Sequence, residues 1–231
     1  MCRIFLFAKN IRFYQSVSFN KLNFQTPSYM TSPPETNPSN QFRCPWCLGF
    51  EGYRKYHDEE WGVPVYSDEK HFEFLVLESA QAGLNWATIL KKREGYRHAF
   101  AGFDYLEVAE FPEKYLDILM EDKGIIRNRL KIAAAINNAR KLIEIQAEQG
   151  SFTSYIWNFV GGKPILNHWL DLSQVPATTE ISDKLAKDMK KRGFKFLGST
   201  TLYAHMQATG LVNDHLAQCF RHQEVQLKAT K

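Results

Sequence analysis

Lys190-Lys191-Arg192-Gly193-Phe194-Lys195-Phe196-Leu197-Gly198-Ser199-Thr200-Thr201 joins two helical segments through a short turn. Gly198 frees the backbone to approach a partner closely. Ser199 and Thr200 then open a helix whose first N–H groups suit a phosphate, and the flanking Lys and Arg side chains add Coulombic attraction. An element of this build is a helix-hairpin-helix grip on a DNA backbone, with Lys195, Gly198, Ser199 and Thr200 as its contacts. A solvated charge run that merely closes a helix would read in a similar way.

Outward from this hairpin, the pattern from Arg43 is helical almost throughout. Ser67-Asp68-Glu69 supplies a cap and an acidic first turn, and the helix it opens runs to Gly83. A second starts at Asn85 and breaks at Gly95, and Pro112 opens a third. Residues 128–149 form a long amphipathic helix stopped by Gly150, and residues 182–192 another closed by Gly193. The last two start near Ser199 and Asn213. No alternating run and no internal repeat occurs, which predicts an all-α protein. Two stretches lack a clear period, 43–65 and 161–179, and function is expected there.

The 231 residues are 44% hydrophobic, enough for one sizeable core. Residues 1–42 hold four basic side chains against one acid, so +3 of the net +4 lies in that segment. Bulk charge therefore does not itself argue for nucleic acid. The segment reads as a disordered extension, with a transit peptide or a true start at Met30 as alternatives. Residues 43–222 form the domain, and 223–231 a tail. Four cysteines are too few for a disulfide scaffold, and no apolar run approaches a membrane span of about 18 to 20 residues. A soluble cytoplasmic protein is expected.

Asp214-His215-Leu216-Ala217-Gln218-Cys219 places an imidazole and a thiol four residues apart, which on a helix is half of a tetrahedral zinc site. The other half must come from Cys44, Cys47 and His57, with His222 in reserve. Cys44-Pro45-Trp46-Cys47 could also be a redox pair, but no strand precedes it and no βαβ unit follows.

Aromatic residues crowd the span from Trp46 to Trp86: Trp46, Tyr53, Tyr56, Trp61 and Trp86 among them. Glu78 lies mid-helix among apolar neighbours. A carboxylate at the edge of an aromatic cage suits a flat cationic heterocycle, by stacking, cation–π attraction and a directed hydrogen bond. A solvated helix face is the plainer alternative.

These pieces share order and spacing with a known family. Arg43-Cys44-Pro45-Trp46, Tyr56-His57-Asp58-Glu59-Glu60-Trp61-Gly62-Val63-Pro64, Gln81-Ala82-Gly83-Leu84 between Glu78 and Trp86, Leu90-Lys91-Lys92-Arg93, Gly124-Ile125-Ile126-Arg127-Asn128-Arg129, residues 190–198 and Gln207-Ala208-Thr209-Gly210-Leu211-Val212-Asn213-Asp214-His215 together resemble the DNA-3-methyladenine glycosylase I family. The resemblance implies a helix-hairpin-helix DNA glycosylase architecture, monomeric and monofunctional, that flips 3-methyladenine out of double-stranded DNA and hydrolyses its glycosidic bond. It implies one structural zinc held by Cys44, His57, His215 and Cys219, joining the two ends of the domain and leaving Cys47 a bystander. Glu78 and Tyr56 take the catalytic positions, and Trp46, Tyr53, Trp61 and Trp86 line the base. Gly83 and Leu84 form the turn that enters the vacated duplex. Asp214 becomes a structural neighbour of a ligand rather than a base. Ser79 and Asn85 are expected to vary freely.

Overall fold

Capping side chains set most of the helix boundaries. In the computed structural model, which describes residues 41–228, Ser67 accepts a hydrogen bond from the Lys70 amide. Asn85, Asp104, Asn128, Ser151 and Thr179 act likewise at the starts of other helices. In chain order the helices are α1 (Glu51–Glu59), α2 (Asp68–Gln81), α3 (Trp86–Lys91), α4 (Arg93–Ala99), α5 (Tyr105–Ala109) and α6 (Tyr115–Glu121). They continue with α7 (Arg129–Gln149), α8 (Phe152–Asn158), α9 (Glu180–Lys191), α10 (Ser199–Ala208) and α11 (Phe220–Lys228). The readings of residues 1–40 as extension, transit peptide or late start lie outside the described residues, as do residues 229–231.

The mostly helical class stands, with four corrections. Residues 43–65 are not aperiodic, because α1 runs through them. The break after α3 falls at Lys92, and Gly95 lies inside α4, where a Cβ would stand 2.3 Å from the Gly124 carbonyl oxygen. Gly95 is thus a packing glycine. Asn85 is an N-cap, its side chain receiving the Thr88 amide at 2.8 Å, so only a change to a residue that cannot cap would cost helix stability. Finally, no helix starts at Asn213. Val212 and Asn213 (β2) pair in parallel with Ile165 and Leu166 (β1), and the Ala217 amide donates to the Trp169 carbonyl. The backbone groups that a helix would have used are taken by this neighbouring segment. The next helix, α11, begins only at Phe220 and carries order past residue 222, with Val225 buried.

α2 is the axis of the core, buried from His71 to Gln81 and packed against α3, α7, α8 and α10. Asp68 at its start also caps α8, accepting from the Phe152 amide at 2.9 Å and the Thr153 amide at 2.7 Å. Burial alone would raise the Asp68 pKa, but the Thr153 hydroxyl and these amides hold it below the ordinary carboxylate value. Among the described residues no helix is long and apolar enough to cross a membrane.

A buried histidine pair joins α2 to α10: His71 Nδ1 lies 3.1 Å from His205 Nε2, with neither side chain exposed. Burial pushes His71 down to about 4, offset only in part by Asp68, and holds His205 well below 6.5. Both stay neutral in the fold while the unfolded chain takes up protons from about pH 6.5 downward. Their stabilising contribution is complete above that pH and is lost as the pH falls toward 4. The His71 shift alone corresponds to about 3 kcal/mol at its limit. Urea midpoints should therefore fall more steeply between pH 6.5 and 4 in the native chain than in His71→Leu; parallel profiles would exclude the effect.

Candidate base pocket and metal centre

Cys44 precedes a single 3-10 turn (Pro45–Cys47), His57 sits on the last turn of α1, and His215 and Cys219 lie in the loop between β2 and α11. All four are buried, and their ligand atoms lie within 4.8 Å of one another. Cys44 Sγ is 3.8 Å from His215 Nδ1, and Cys219 Sγ is 3.7 Å from His215 Nδ1 and 3.5 Å from His57 Nε2. Tetrahedral zinc with Zn–S near 2.3 Å and Zn–N near 2.0 Å sets such S···N separations at roughly 3.5 Å. The residues fit a metal of that kind.

The outer nitrogens of both imidazoles are also occupied. His57 Nδ1 meets Asp58 at 2.8 Å, and His215 Nε2 meets the Trp61 carbonyl at 3.0 Å. Asp58 is in turn gripped by Arg43, whose guanidinium lies over the Phe220 ring. This is the arrangement that fixes ring orientation at a metal. His215 and Cys219 do not share a helix as their spacing suggests; they converge through a turn in which the Cys219 amide donates to the Leu216 carbonyl. Cys47 is buried but outside the set, and His222 Nε2 is engaged by the Asn167 carbonyl at 2.7 Å. Asp214 accepts from Asn167, Trp169, Tyr203 and Gln207, two donors on each oxygen. With its acceptor sites filled and 2% of its surface exposed, it braces the loop and has no lone pair left for a reacting water.

Tyr56 precedes His57 on α1, so one helical turn serves both the Cys/His cluster that could hold a metal and an aromatic cluster. Trp46 lies 5.1 Å from Tyr53, 4.9 Å from Trp61 and 5.2 Å from His57, ring centre to ring centre. Tyr56 lies 5.4 Å from Trp86. The end of α1 is held to α2 by charge. Arg93 of α4 grips Glu60 with both terminal nitrogens and Glu73 with Nε, and Lys70 and Arg97 close the network on Glu73.

Near Tyr53 and Tyr56 stands Glu78, 5% exposed and without a side-chain hydrogen bond among the described residues. It is not on a solvated helix face. Burial pushes its carboxyl up to about 8. The Tyr53 phenol is raised to about 12 and that of Tyr56 well above its ordinary value, by burial first and with a contribution from the Glu78 charge in each. The buried Trp86 Nε1–H has no acceptor among the described residues. A buried indole donor without an acceptor and a carboxyl that is 5% exposed thus adjoin one aromatic cluster among the described residues. Native interiors rarely leave a buried donor such as the Trp86 indole unpaired, and a bound acceptor is one way to satisfy it.

Gly83 follows α2 at φ +86°, a left-handed turn that favours glycine, and Leu84 beyond it is exposed. In the hairpin, Lys195, Phe196 and Gly198 are exposed, with Ser199 and Thr200 half-buried. Gly198 precedes α10 without a side-chain cap, so the Ser199, Thr200 and Thr201 amides have no acceptor within the helix. The sequence reading missed Lys131, Asn137 and Asn138 of α7, which bond to the backbones of these two elements; polar residues on the inward stripe of an amphipathic helix were the available signal.

The model of the methyladenine glycosylase family matches residues 46–222. The chain belongs to that family. The DNA-3-methyladenine glycosylase of Haemophilus influenzae is 47% identical over 177 residues, covering 77% of this chain and 96% of that protein. A crystal structure of a 3-methyladenine DNA glycosylase I superposes with a TM-score of 0.76 at 47% identity, over 78% of this chain and 98% of its own. A second, a point variant of such an enzyme in complex with 3-methyladenine, gives 0.75 at 36% identity, over 77% and 96%.

Proposed function

We infer that this chain releases 3-methyladenine from alkylated double-stranded DNA by hydrolysing its N-glycosidic bond, as a monofunctional, monomeric repair glycosylase of the cytoplasm. The observation that carries the reading is the Glu78 carboxyl, 5% exposed and without a side-chain hydrogen bond among the described residues, near Tyr56, whose ring packs on Trp86. Methylation at N3 leaves adenine positively charged and a good leaving group, so the protein's work is to extrude, select and orient the nucleotide. The exocyclic amine of the flipped base donates to Glu78. Tyr56 and Trp86, packed on each other at 5.4 Å, border the base together, Trp46, Tyr53 and Trp61 close the surrounding wall, and Trp86 Nε1–H offers a donor to a base acceptor.

Selection follows from the Glu78 carboxyl. Its raised pKa means that ionisation in this buried setting is costly. A cationic base offsets that cost and drives the proton off, whereas unmodified adenine brings no charge. Gly83 and Leu84 enter the gap left by the base, while Lys195, Gly198, Ser199 and Thr200 hold the phosphates. The metal cluster takes one zinc through Cys44, His57, His215 and Cys219. Four protein ligands leave no position for water, so zinc here supplies cohesion between the two ends of the domain, not chemistry.

Incubation with DNA alkylated at adenine tests the reading, with free base resolved by chromatography. Release of 3-methyladenine at a rate proportional to enzyme is the expected result. Tight binding to alkylated duplex without release would make the protein a reader of damage instead.

A further inference from the structure

We propose that α7 fixes the distance between the two DNA-contacting elements, with Lys131 holding the Gly83–Leu84 turn and Asn138 holding the hairpin. This rests on the reading of those elements as DNA contacts given above. Lys131 Nζ donates to the carbonyls of Ala80, at 3.0 Å, and Ala82, at 2.5 Å, two of the last three carbonyls before Gly83. A cation is favoured there by the negative end of α2. Asn138 is 2% exposed and pairs with Lys195 on both sides of its backbone, accepting from the amide at 2.9 Å and donating to the carbonyl at 2.9 Å. Asn137 adds a bond to the Gly193 carbonyl at 3.0 Å.

Lys131 and Asn138 are seven residues apart, two turns of one helix, and so share a face about 10 Å apart along its axis. An apolar residue would fill the inward stripe of α7 at lower desolvation cost; these two polar groups are instead matched to backbone atoms of the two elements. Duplex DNA is a stiff partner whose vacated stack and neighbouring phosphates stand at set separations. A helix bonded to both contacting loops holds them at one spacing before DNA arrives. Lys131 and Asn138 are therefore positioning residues: neither needs to touch DNA.

The test measures affinity for an abasic-site duplex and for free 3-methyladenine, in the full chain and in Lys131→Met, Asn138→Ala and the double variant. Asn138→Asp, which keeps shape and acceptor, covers the case in which the alanine variant does not fold. Each single change should weaken abasic-duplex binding about tenfold, as loss of a matched hydrogen bond does. Free-base affinity should stay within about twofold, because the pocket is untouched. The double variant should lose well short of hundredfold, since breaking either tie already frees the spacing. Lys131→Arg, which keeps a donor to the carbonyls, should recover most of the loss. Unchanged duplex affinity, a fully multiplicative double variant, or a parallel fall in free-base affinity each overturns the proposal. Leu84→Ala separates this from its premise. If it weakens duplex binding while Lys131→Met does not, only the spacing role fails; if it has no effect, the DNA-contact reading falls and the proposal with it.

Discussion

His215→Ala is expected to lose its metal and, with it, most of the cooperative unfolding transition. The cluster joins residue 44 to residues 215 and 219, and His57 lies on the turn of α1 that also carries Tyr56. Structural zinc contributes about 10 to 16 kcal/mol of apparent binding free energy in small domains, comparable with the whole stability of about 5 to 15 kcal/mol of a typical fold. Removing one ligand also leaves two buried thiols beside a lone imidazole. The native chain incubated with a strong chelator should reproduce the variant's melting curve. Metal content per chain checks the ligand assignment: about one in the native protein and in Cys47→Ser, and near zero in Cys44→Ser and His215→Ala. Loss in Cys47→Ser with retention in Cys44→Ser would reverse it.

Glu78→Gln should lower excision of 3-methyladenine by roughly one to two decades, the equivalent of a charged hydrogen bond of about 1.5 to 3 kcal/mol. The glutamine keeps the shape but loses the charge and can turn an amide donor against the base's amine. Glu78→Ala should do at least as much harm. Because the methylated base leaves readily, residual activity should persist. Affinity for abasic DNA should hardly change, since no base is present to meet Glu78. The same variant has a stability signature. The Glu78 pKa rises from 4.5 to about 8 on folding, so the fold binds the extra proton between those values and loses stability as pH climbs from 4.5 to 8. Glu78→Gln does not titrate, and its melting temperature relative to the native chain should rise across that interval. Excision at the native rate would make Glu78 a structural residue.

Legibility in the sequence varied with how locally each feature is determined. The boundaries of α2, α7 and α10 could be read because Ser67, Asn128 and Gly150, and Gly198 act on their own neighbours. α1 was hidden because its inward residues, Tyr53, Tyr56 and His57, face a site rather than an aliphatic core, and Phe50 gives no side-chain cap. Gly95 looked like a helix break because its contact partner, Gly124, is distant in the chain. The segment from Asp214 to Cys219 is the instructive case. Its spacing suggested a ligand pair on a helix, and the cluster does form, but by a different backbone, since the helix is pre-empted by bonds to residues 165–169 that no local pattern announces. Glu78 stood out as a carboxyl among apolar neighbours; that no described side chain or amide bonds to it is a three-dimensional fact.

The two indoles nearest the metal cluster give the protein a built-in gauge. Trp46 stands 5.2 Å from the His57 ring and Trp61 4.6 Å from that of His215, and the two indoles contact each other at 4.9 Å. Under the proposed zinc ligation, loss of the metal would alter the electrostatic and collisional surroundings of both chromophores at once. The ultraviolet emission of the unlabelled chain, followed during a chelator titration, should therefore report occupancy directly, and its exciton-coupled circular dichroism should distinguish an intact cluster from a loosened one before the helices melt.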